Sequence, residues 1–405
     1  MRIQYLSASG ELGGAEMCLL DMIASLKAAQ SDWQIGLISG QDGPLLPRAN
    51  ALGASVTVLP FPRTIARLGD SSASNSRASK LFLAAKLAGS SVATANYSRR
   101  LRRCIREFNP DILHSNSLKM NVLGAWAKSP GLPMLWHLHD YVGCRPVMRK
   151  AMRWNQRRCS AILANSSSVR DDARAVFPDF AQINTLYNAI DLGEFSPEGP
   201  TADLDQLSQL EPAPAGTVRV GLIATMAWWK GHRDFIQALA LIGESQPVRG
   251  YIVGGPVYQS AGSQTDLDEL RAFTAKYLPQ GRVGFTGFVD KPSSAIRALD
   301  IVVHASTHPE PFGRVIVEAM GCAKPVITTG IGGAAELITH HENALVFRGG
   351  DPAHLAEQID RLARDPSLRQ RLGAAGRKAV LQNFNRERLG PQLATIYRQV
   401  TGRTN

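Results

Sequence analysis

With 405 residues, 44% of them hydrophobic and 20% charged, the chain can bury full cores and is neither disordered nor fibrous; at roughly 100–200 residues per domain it predicts two or three domains. No run of about 18 apolar residues occurs, IQYLSASG after Met1-Arg2 is too short and interrupted for a signal-peptide core, and the five cysteines include no Cys-x-x-Cys pair, so a cytoplasmic protein with reduced thiols is expected. The formal net charge is +11, yet no nucleic-acid-binding motif accompanies it and aromatics are sparse among the cations, which disfavours nucleic acid as a partner.

RIQYLSAS reads as a buried strand, GELGG as a glycine turn and 15–28 as a helix. WQIGLISG and ASVTVLP follow as strands, then a long, largely helical segment over 76–108. Between Phe61 and Pro110 ten basic residues stand against Asp70 and Glu107. Next come strand DILHSNS, a helix over 117–128 and strand PMLWHLHD. From Arg145 to Arg158 six more basic residues occur with no acid, so the two basic segments together carry +14 and the rest of the chain is slightly acidic. A positive field confined to the first half attracts the phosphates of anionic lipid or of a pyrophosphate substrate; a solvated arginine-rich surface is the plain alternative. Strand AILANS, a helix capped by the serines at 166–168 and strand INTLYNAI close the first series.

Over 196–216 the composition shifts to Pro, Gly, Glu and Gln, as at SPEGP and EPAPAG, which reads as an interdomain linker. A second alternating series runs from VRVGLIAT through IVVHAS and FGRVIVEAM to PVITTG and ALVF, before C-terminal helices. Strands alternating with helices imply two doubly wound, mostly parallel α/β domains, each binding ligand at the carboxyl ends of its strands, with a cleft between them. The expected division is 1–195, a linker at 196–216, 217–385, and 386–405 as a C-terminal helix that packs back on the first domain.

The stretch HPEPFGRVIVEAMGCAKPVITTGIGGAAELI carries the most chemistry. Glu310 follows the strand IVVHAS, and Glu318 lies seven intervening residues later on a helix that begins near Phe312. A helix amino terminus offers unpaired N–H groups and a positive dipole end, so the amides near Phe312, Gly313 and Arg314 can hold phosphate or sugar oxygens. Glu318 falls about 6 Å further along the axis than Arg314, roughly the step from a diphosphate to the ribose of one nucleotide, where a carboxylate can accept both ribose hydroxyls. Two surface glutamates flanking an amphipathic helix would show the same spacing. His304 and His308 are four apart, but Pro309 and the preceding strand deny them a shared helical face and no third ligand recurs, so no metal is expected. Gly332, Gly333 and Glu336 fit a loop as well as a ligand contact.

The arrangement resembles the Glu-x7-Glu motif of family-4 retaining glycosyltransferases of the GT-B type, and the resemblance covers nearly the whole chain. The pieces, in order, are GGAE at 13–16, DILHSNS at 111–117, HLHD at 137–140, NAIDLGEF at 188–195, WKGH at 229–232, the run from Glu310 to Glu318, and AKPVITTGIGGAAEL. It implies two Rossmann-like domains facing a central cleft, the second binding the nucleotide sugar and the first holding most of the acceptor. Carried over, Glu310 corresponds to the acid at the donor sugar, Glu318 to the ribose ligand and Lys230 to the lysine that neutralises the diphosphate. Gly13 and Gly14 approach the donor phosphates, and His139 corresponds to a histidine beside the donor sugar, with His137 left structural. Five residues before Lys230 the family usually carries an arginine; here Thr225 stands there, with Arg314 as a candidate substitute.

The expected activity is transfer of a sugar from a nucleoside-diphosphate sugar to a glycan or lipid-linked glycan, with retention and without cofactor or metal. The alternatives are a non-catalytic sugar-nucleotide-binding partner subunit, which Thr225 favours, and a GT-B-shaped nucleotide-sugar epimerase. The basic segments, with Leu81, Phe82, Leu83 and Leu87 among flanking cations, add the expectation of peripheral attachment to an anionic membrane surface on the cytoplasmic side.

Overall fold

The structure is a computed structural model that describes residues 1–62, 77–243, 246–255 and 265–403, apart from the side chains of 77–91. The chain forms two α/β units. Met1–Asn188 and Arg386–Asn405 belong to the first, and Ala189–Asn385 supplies the described part of the second.

The first unit is built on seven parallel strands, β1 (Arg2–Ser7), β2 (Gln34–Ser39), β3 (Ala54–Val58), β4 (Ile112–Ser115), β5 (Met134–Leu138), β6 (Ala161–Ala164) and β7 (Ile183–Thr185), in the order β3-β2-β1-β4-β5-β6-β7. The central strands β4, β5 and β6 are buried along their whole length, as expected of apolar runs covered by helices on both faces. Trp136 of β5 packs against Phe177 at 6.2 Å between ring centroids, within a core that includes Leu113, Met134 and Ile162. Ser166 caps the helix Ser167–Val176, its Oγ accepting from the Val169 N–H at 3.1 Å. Two helices escaped the pattern reading: Leu45–Ala51, and Pro146–Asn155 inside the basic stretch.

The helix Leu389–Thr401 lies in this first unit. Tyr397 from it is buried, its hydroxyl 2.6 Å from His114 Nδ1 and 2.9 Å from the Tyr5 hydroxyl, and the Gly390 N–H donates to Ser25 Oγ at 2.7 Å.

The second unit has six parallel strands, β8 (Val218–Ile223), β9 (Val248–Val253), β10 (Val283–Gly287), β11 (Ile301–His304), β12 (Val326–Thr328) and β13 (Leu345–Val346), ordered β10-β9-β8-β11-β12-β13. Val220, Leu222, Ile252, Val303, Ile327 and Phe235 lie in its core.

The segment expected as a linker packs into this unit, because polar anchors compensate for its lack of large apolar residues. Asp205, in the short helix Leu204–Leu207, is 3% exposed and accepts from Tyr251 Oη at 2.6 Å, Arg249 Nη1 at 2.7 Å, Arg219 Nη2 at 3.0 Å and the Ala213 N–H at 3.0 Å. Burial pushes its carboxyl up, but the bonds from Tyr251, Ala213 and Arg249 outweigh that and hold it at about 2. Arg297 adds bonds to the carbonyls of Glu194, Ser196 and Pro200.

Candidate active site

In each sheet the strand order reverses beside the first strand of the unit, at β1/β4 and at β8/β11, which is where an open α/β sheet leaves room for a ligand beyond its carboxyl ends.

In the second unit β8 leads through Thr225 to a 3-10 turn at Trp228–Lys230, and β11 leads into the loop that ends at Gly313. The two connections touch at Gly231, which has φ +73; a Cβ there would stand 2.1 Å from the Ala305 carbonyl oxygen, so only glycine fits. The Thr307 N–H donates to the Trp229 carbonyl at 2.8 Å across the same junction. Lys230 Nζ is thereby brought 2.7 Å from Glu310 Oε2. That oxygen also accepts from Ser306 Oγ at 2.8 Å and lies 3.3 Å from His304 Nε2, whose Nδ1 meets Thr328 Oγ1 at 3.0 Å. Burial pushes the Glu310 carboxyl up, but the Lys230 ammonium and the His304 hydrogen bond outweigh it and hold the group well below the usual carboxylate range. Glu310 is therefore an anion at neutral pH despite its burial.

Its backbone is held as well. The Glu310 N–H donates to the Ile331 carbonyl at 3.2 Å, and its carbonyl accepts from the Gly333 N–H at 2.7 Å. The glycine turn at 332–333 thus positions Glu310, which is the loop role left open for it above.

Gly313, at φ +93, opens the helix Arg314–Gly321; a Cβ on it would meet Ile316 Cδ1 at 3.0 Å. Phe312 is 2% exposed and sits edge-on to Phe384, so its side chain packs the loop down. Arg314 Nε donates to Glu318 Oε1 at 2.6 Å, one turn along the same helix, with both side chains about nine-tenths buried, and Arg314 Nη1 reaches the Ala189 carbonyl at 3.3 Å. Arg314, considered above as a substitute for the missing arginine, is engaged by the second glutamate of the motif. Thr225 lies half-buried just past β8, its carbonyl accepting from the Ala227 N–H at 2.7 Å. Next to Lys230, His232 is buried; burial first and then the nearby lysine hold its imidazole at about 4, against a bond to the Ala227 backbone that favours the charged form.

In the first unit the turn after β1 runs into the helix Gly14–Ala29, whose N-cap, Gly13, supplies no side-chain acceptor; Gly14 is exposed. Asn116, one residue past β4, joins this turn to β5. Its Nδ2 donates to the Ala15 carbonyl at 2.9 Å, which points Oδ1 at His139 Nε2, 2.8 Å away. His139 Nε2 must then carry the proton, so Nδ1 presents a lone pair, and Nδ1 has no partner among the described residues. Burial lowers the His139 imidazole to about 4, so it is a neutral hydrogen-bond acceptor at pH 7. His137, with its ring centroid 4.1 Å from that of His139, is fully buried and turns Nδ1 to His114 Nε2 at 3.2 Å, a packing position.

Asn116, Ser306 and the Glu310 role of His304 were missed in the sequence. The available signal was that each lies at or within two residues of the carboxyl end of a strand flanking a reversal in strand order. Among the described residues no group of three or more His, Cys, Asp or Glu is placed to hold a metal, and no helix is long and apolar enough to cross a membrane.

Residues 207–379 match the family model of glycosyl transferases group 1, and residues 13–189 match that of the glycosyl transferase 4-like domain. The lipopolysaccharide core biosynthesis glycosyltransferase LpsD of Rhizobium meliloti is 34% identical over 288 residues, 71% of this chain and 74% of LpsD. The N-acetyl-alpha-D-glucosaminyl L-malate synthase of Bacillus anthracis is 25% identical over 64% of this chain, and the match spans 65% of that relative, a little under two thirds of its length. Among solved structures, Anabaena HepE in complex with UDP-glucose superposes with a TM-score of 0.78 at 25% identity, covering 98% of this chain and 100% of HepE.

Proposed function

The chain belongs to the group 1, family-4-like glycosyltransferases of GT-B fold, and on that premise we propose that it transfers a sugar from a nucleoside-diphosphate donor to a glycan or lipid-linked glycan acceptor, with retention at the anomeric carbon. The observation that carries this reading is the Lys230–Glu310 pair, 2.7 Å apart at the strand-order reversal of the second unit. Breaking a glycosidic bond to a diphosphate builds negative charge on the leaving group, and an ammonium at hydrogen-bond reach stabilises it. An ionised Glu310 is an acceptor-only group suited to sugar hydroxyls, and it favours positive charge developing at the anomeric carbon. Glu318 takes the ribose hydroxyls. Arg314 orients that carboxylate without exhausting its acceptor capacity, since two oxygens offer about four lone-pair sites. Within the first unit, His139 Nδ1 is an acceptor suited to a sugar hydroxyl, and the helix start at Gly13–Gly14 is suited to a phosphate oxygen. With no enzymic nucleophile in this scheme, retention follows from front-face departure, the leaving phosphate taking the proton of the acceptor hydroxyl. Lys230 supplies the charge neutralisation, so no divalent cation or cofactor enters the reading.

The test is release of nucleoside diphosphate from UDP- and GDP-sugars, with and without a panel of glycan acceptors and in the presence of EDTA, with the anomeric configuration of the product read by proton NMR. Release that requires an acceptor and gives a retained linkage is expected. Donor binding without turnover would overturn the transferase reading in favour of the partner subunit that Thr225 suggests. Conversion of the donor sugar with no acceptor would indicate an epimerase.

A further inference from the structure

The first unit carries a surface that neither the donor site nor the fold accounts for. Three of its helices lie side by side: the part of Arg77–Phe108 from Val92 onward, Leu118–Ala127, and Pro146–Asn155. Arg102 donates to the Trp126 carbonyl at 2.9 Å and the Ala127 carbonyl at 3.1 Å, Arg158 to the Ala125 carbonyl at 2.9 Å, and Trp126 Nε1 to Asn155 Oδ1 at 2.8 Å, so the three are stitched into one face. Residues 92–108, 118–128 and 145–158 contain thirteen lysines and arginines and one acid, Glu107, which is occupied by Arg103 at 2.8 Å.

Aromatic and aliphatic side chains stand out of this cationic field. Trp154 is 89% exposed, Val147 47% and Trp126 39%. Along Pro146–Asn155, Val147, Lys150 and Trp154 follow one another at helical spacing on the outer stripe, with Arg149 and Arg153 beside them, while Met152 and Asn155 are buried on the inner one. Exposed apolar side chains grouped among polar ones, rather than scattered singly, mark an interaction surface.

We propose that this face seats the protein on an anionic lipid bilayer, with Trp154 and Val147 entering the headgroup region and Lys150, Arg149, Arg153 and Arg157 bound to lipid phosphates. Charge complementarity names the occupant. Tryptophan on a helix flanked by lysine and arginine is the side-chain set that partitions to a bilayer interface, whereas a single-stranded nucleic acid would need several stacking aromatics in a groove. Placement within the unit agrees. Arg102 and Arg158 reach the carbonyls at the C-terminal end of Leu118–Ala127, which leads to the start of β5, so the cationic face extends to the end of the sheet opposite Asn116 and His139. The surface uses only described side chains; Arg63 and Arg67 lie outside the described residues, as do the side chains of Arg77, Lys80, Leu81, Phe82, Leu83, Lys86 and Leu87, on which the sequence-based expectation partly rested.

The test is co-sedimentation of the full chain with phosphatidylcholine vesicles containing about a third phosphatidylglycerol, against pure phosphatidylcholine, as salt rises from about 0.05 to about 0.5 M. Binding to the anionic vesicles alone, weakening with salt, is expected. The double variant Lys150→Glu/Arg153→Glu should lower partitioning about 30-fold or more, two basic residues at roughly fivefold each, and Trp154→Ala roughly tenfold. All three positions are exposed, and an unchanged melting temperature confirms that the variants fold. Equal binding to neutral vesicles, or no binding to anionic ones at low salt, overturns the proposal. Loss on charge reversal with no effect of Trp154→Ala overturns insertion and leaves a merely electrostatic surface. Displacement by poly(U) at equal phosphate concentration would reassign the face to nucleic acid. None of these outcomes bears on donor turnover with a soluble acceptor, so the transferase reading is tested separately.

Discussion

Replacing Lys230 by methionine removes the ammonium while keeping the length of the side chain. Two unit charges 2.7 Å apart attract by about 6 kcal/mol at an effective dielectric of roughly 20, before the cost of desolvating them is subtracted. The side chains are 20% and 15% exposed, so the pair is screened little, and its loss strips Glu310 of the chief influence that offsets burial. The carboxyl, which keeps its Ser306 and His304 contacts, shifts upward, and the acid limb of the turnover-pH profile moves to higher pH. Donor binding falls as well, because a diphosphate loses one charge-assisted hydrogen bond, on the order of 1.5–3 kcal/mol or about 10- to 150-fold in affinity. Calorimetric titration with UDP measures the second effect and single-turnover rates across pH the first. A folded Lys230→Met protein with unchanged UDP affinity and an unmoved acid limb would refute the placement of the diphosphate at Lys230 and the electrostatic account of Glu310.

Glu318→Gln keeps the shape of the side chain but removes the charge facing Arg314, so UDP binding should weaken by about tenfold, with a modest loss of melting temperature from the nine-tenths-buried arginine; unchanged UDP affinity would remove Glu318 from the ribose site. Thr225→Arg restores a second cation on the connection that carries Lys230 and should tighten UDP binding by about tenfold, whereas no change or a loss would show that another group fills that place. The imidazoles of His114 and His139 are held down to about 3 and about 4, both by burial first. Because they are neutral in the folded protein and titrate near 6.5 once unfolded, their contribution is complete above that pH and is lost below it. Each costs about 1.4 kcal/mol per pH unit between roughly 6.5 and its folded value. Calorimetry should therefore show the unfolding of the first unit moving to lower temperature from pH 7 to pH 5; a flat profile would contradict the neutral buried cluster.

Strand and helix alternation was written in local hydrophobic period; the family showed instead as a resemblance, through motif pieces whose order along the chain mattered more than any one of them. Short, largely apolar runs such as ILHS and IVVH fit strands covered on both faces, and the glycines at 13, 231 and 313 stand where strands turn into helices or loops. Local pattern also singled out both motif glutamates, and the family resemblance added Lys230. It had no means of placing Lys230 against Glu310, because the two are 80 residues apart and meet only when β8 and β11 pair and Gly231 admits the Ala305 carbonyl. For the same reason Asn116, inside the piece DILHSNS, had no role of its own until β1, β4 and β5 lay side by side. The segment at 196–216 read as a linker because composition registers apolar content alone; its anchor is one buried aspartate, whose partners Arg219, Arg249 and Tyr251 come from β8 and β9. Spacing along a chain specifies which side chains share a helix face or a strand face, whereas contacts between elements depend on which strands pair and in what order, and that is decided only when the sheet is assembled.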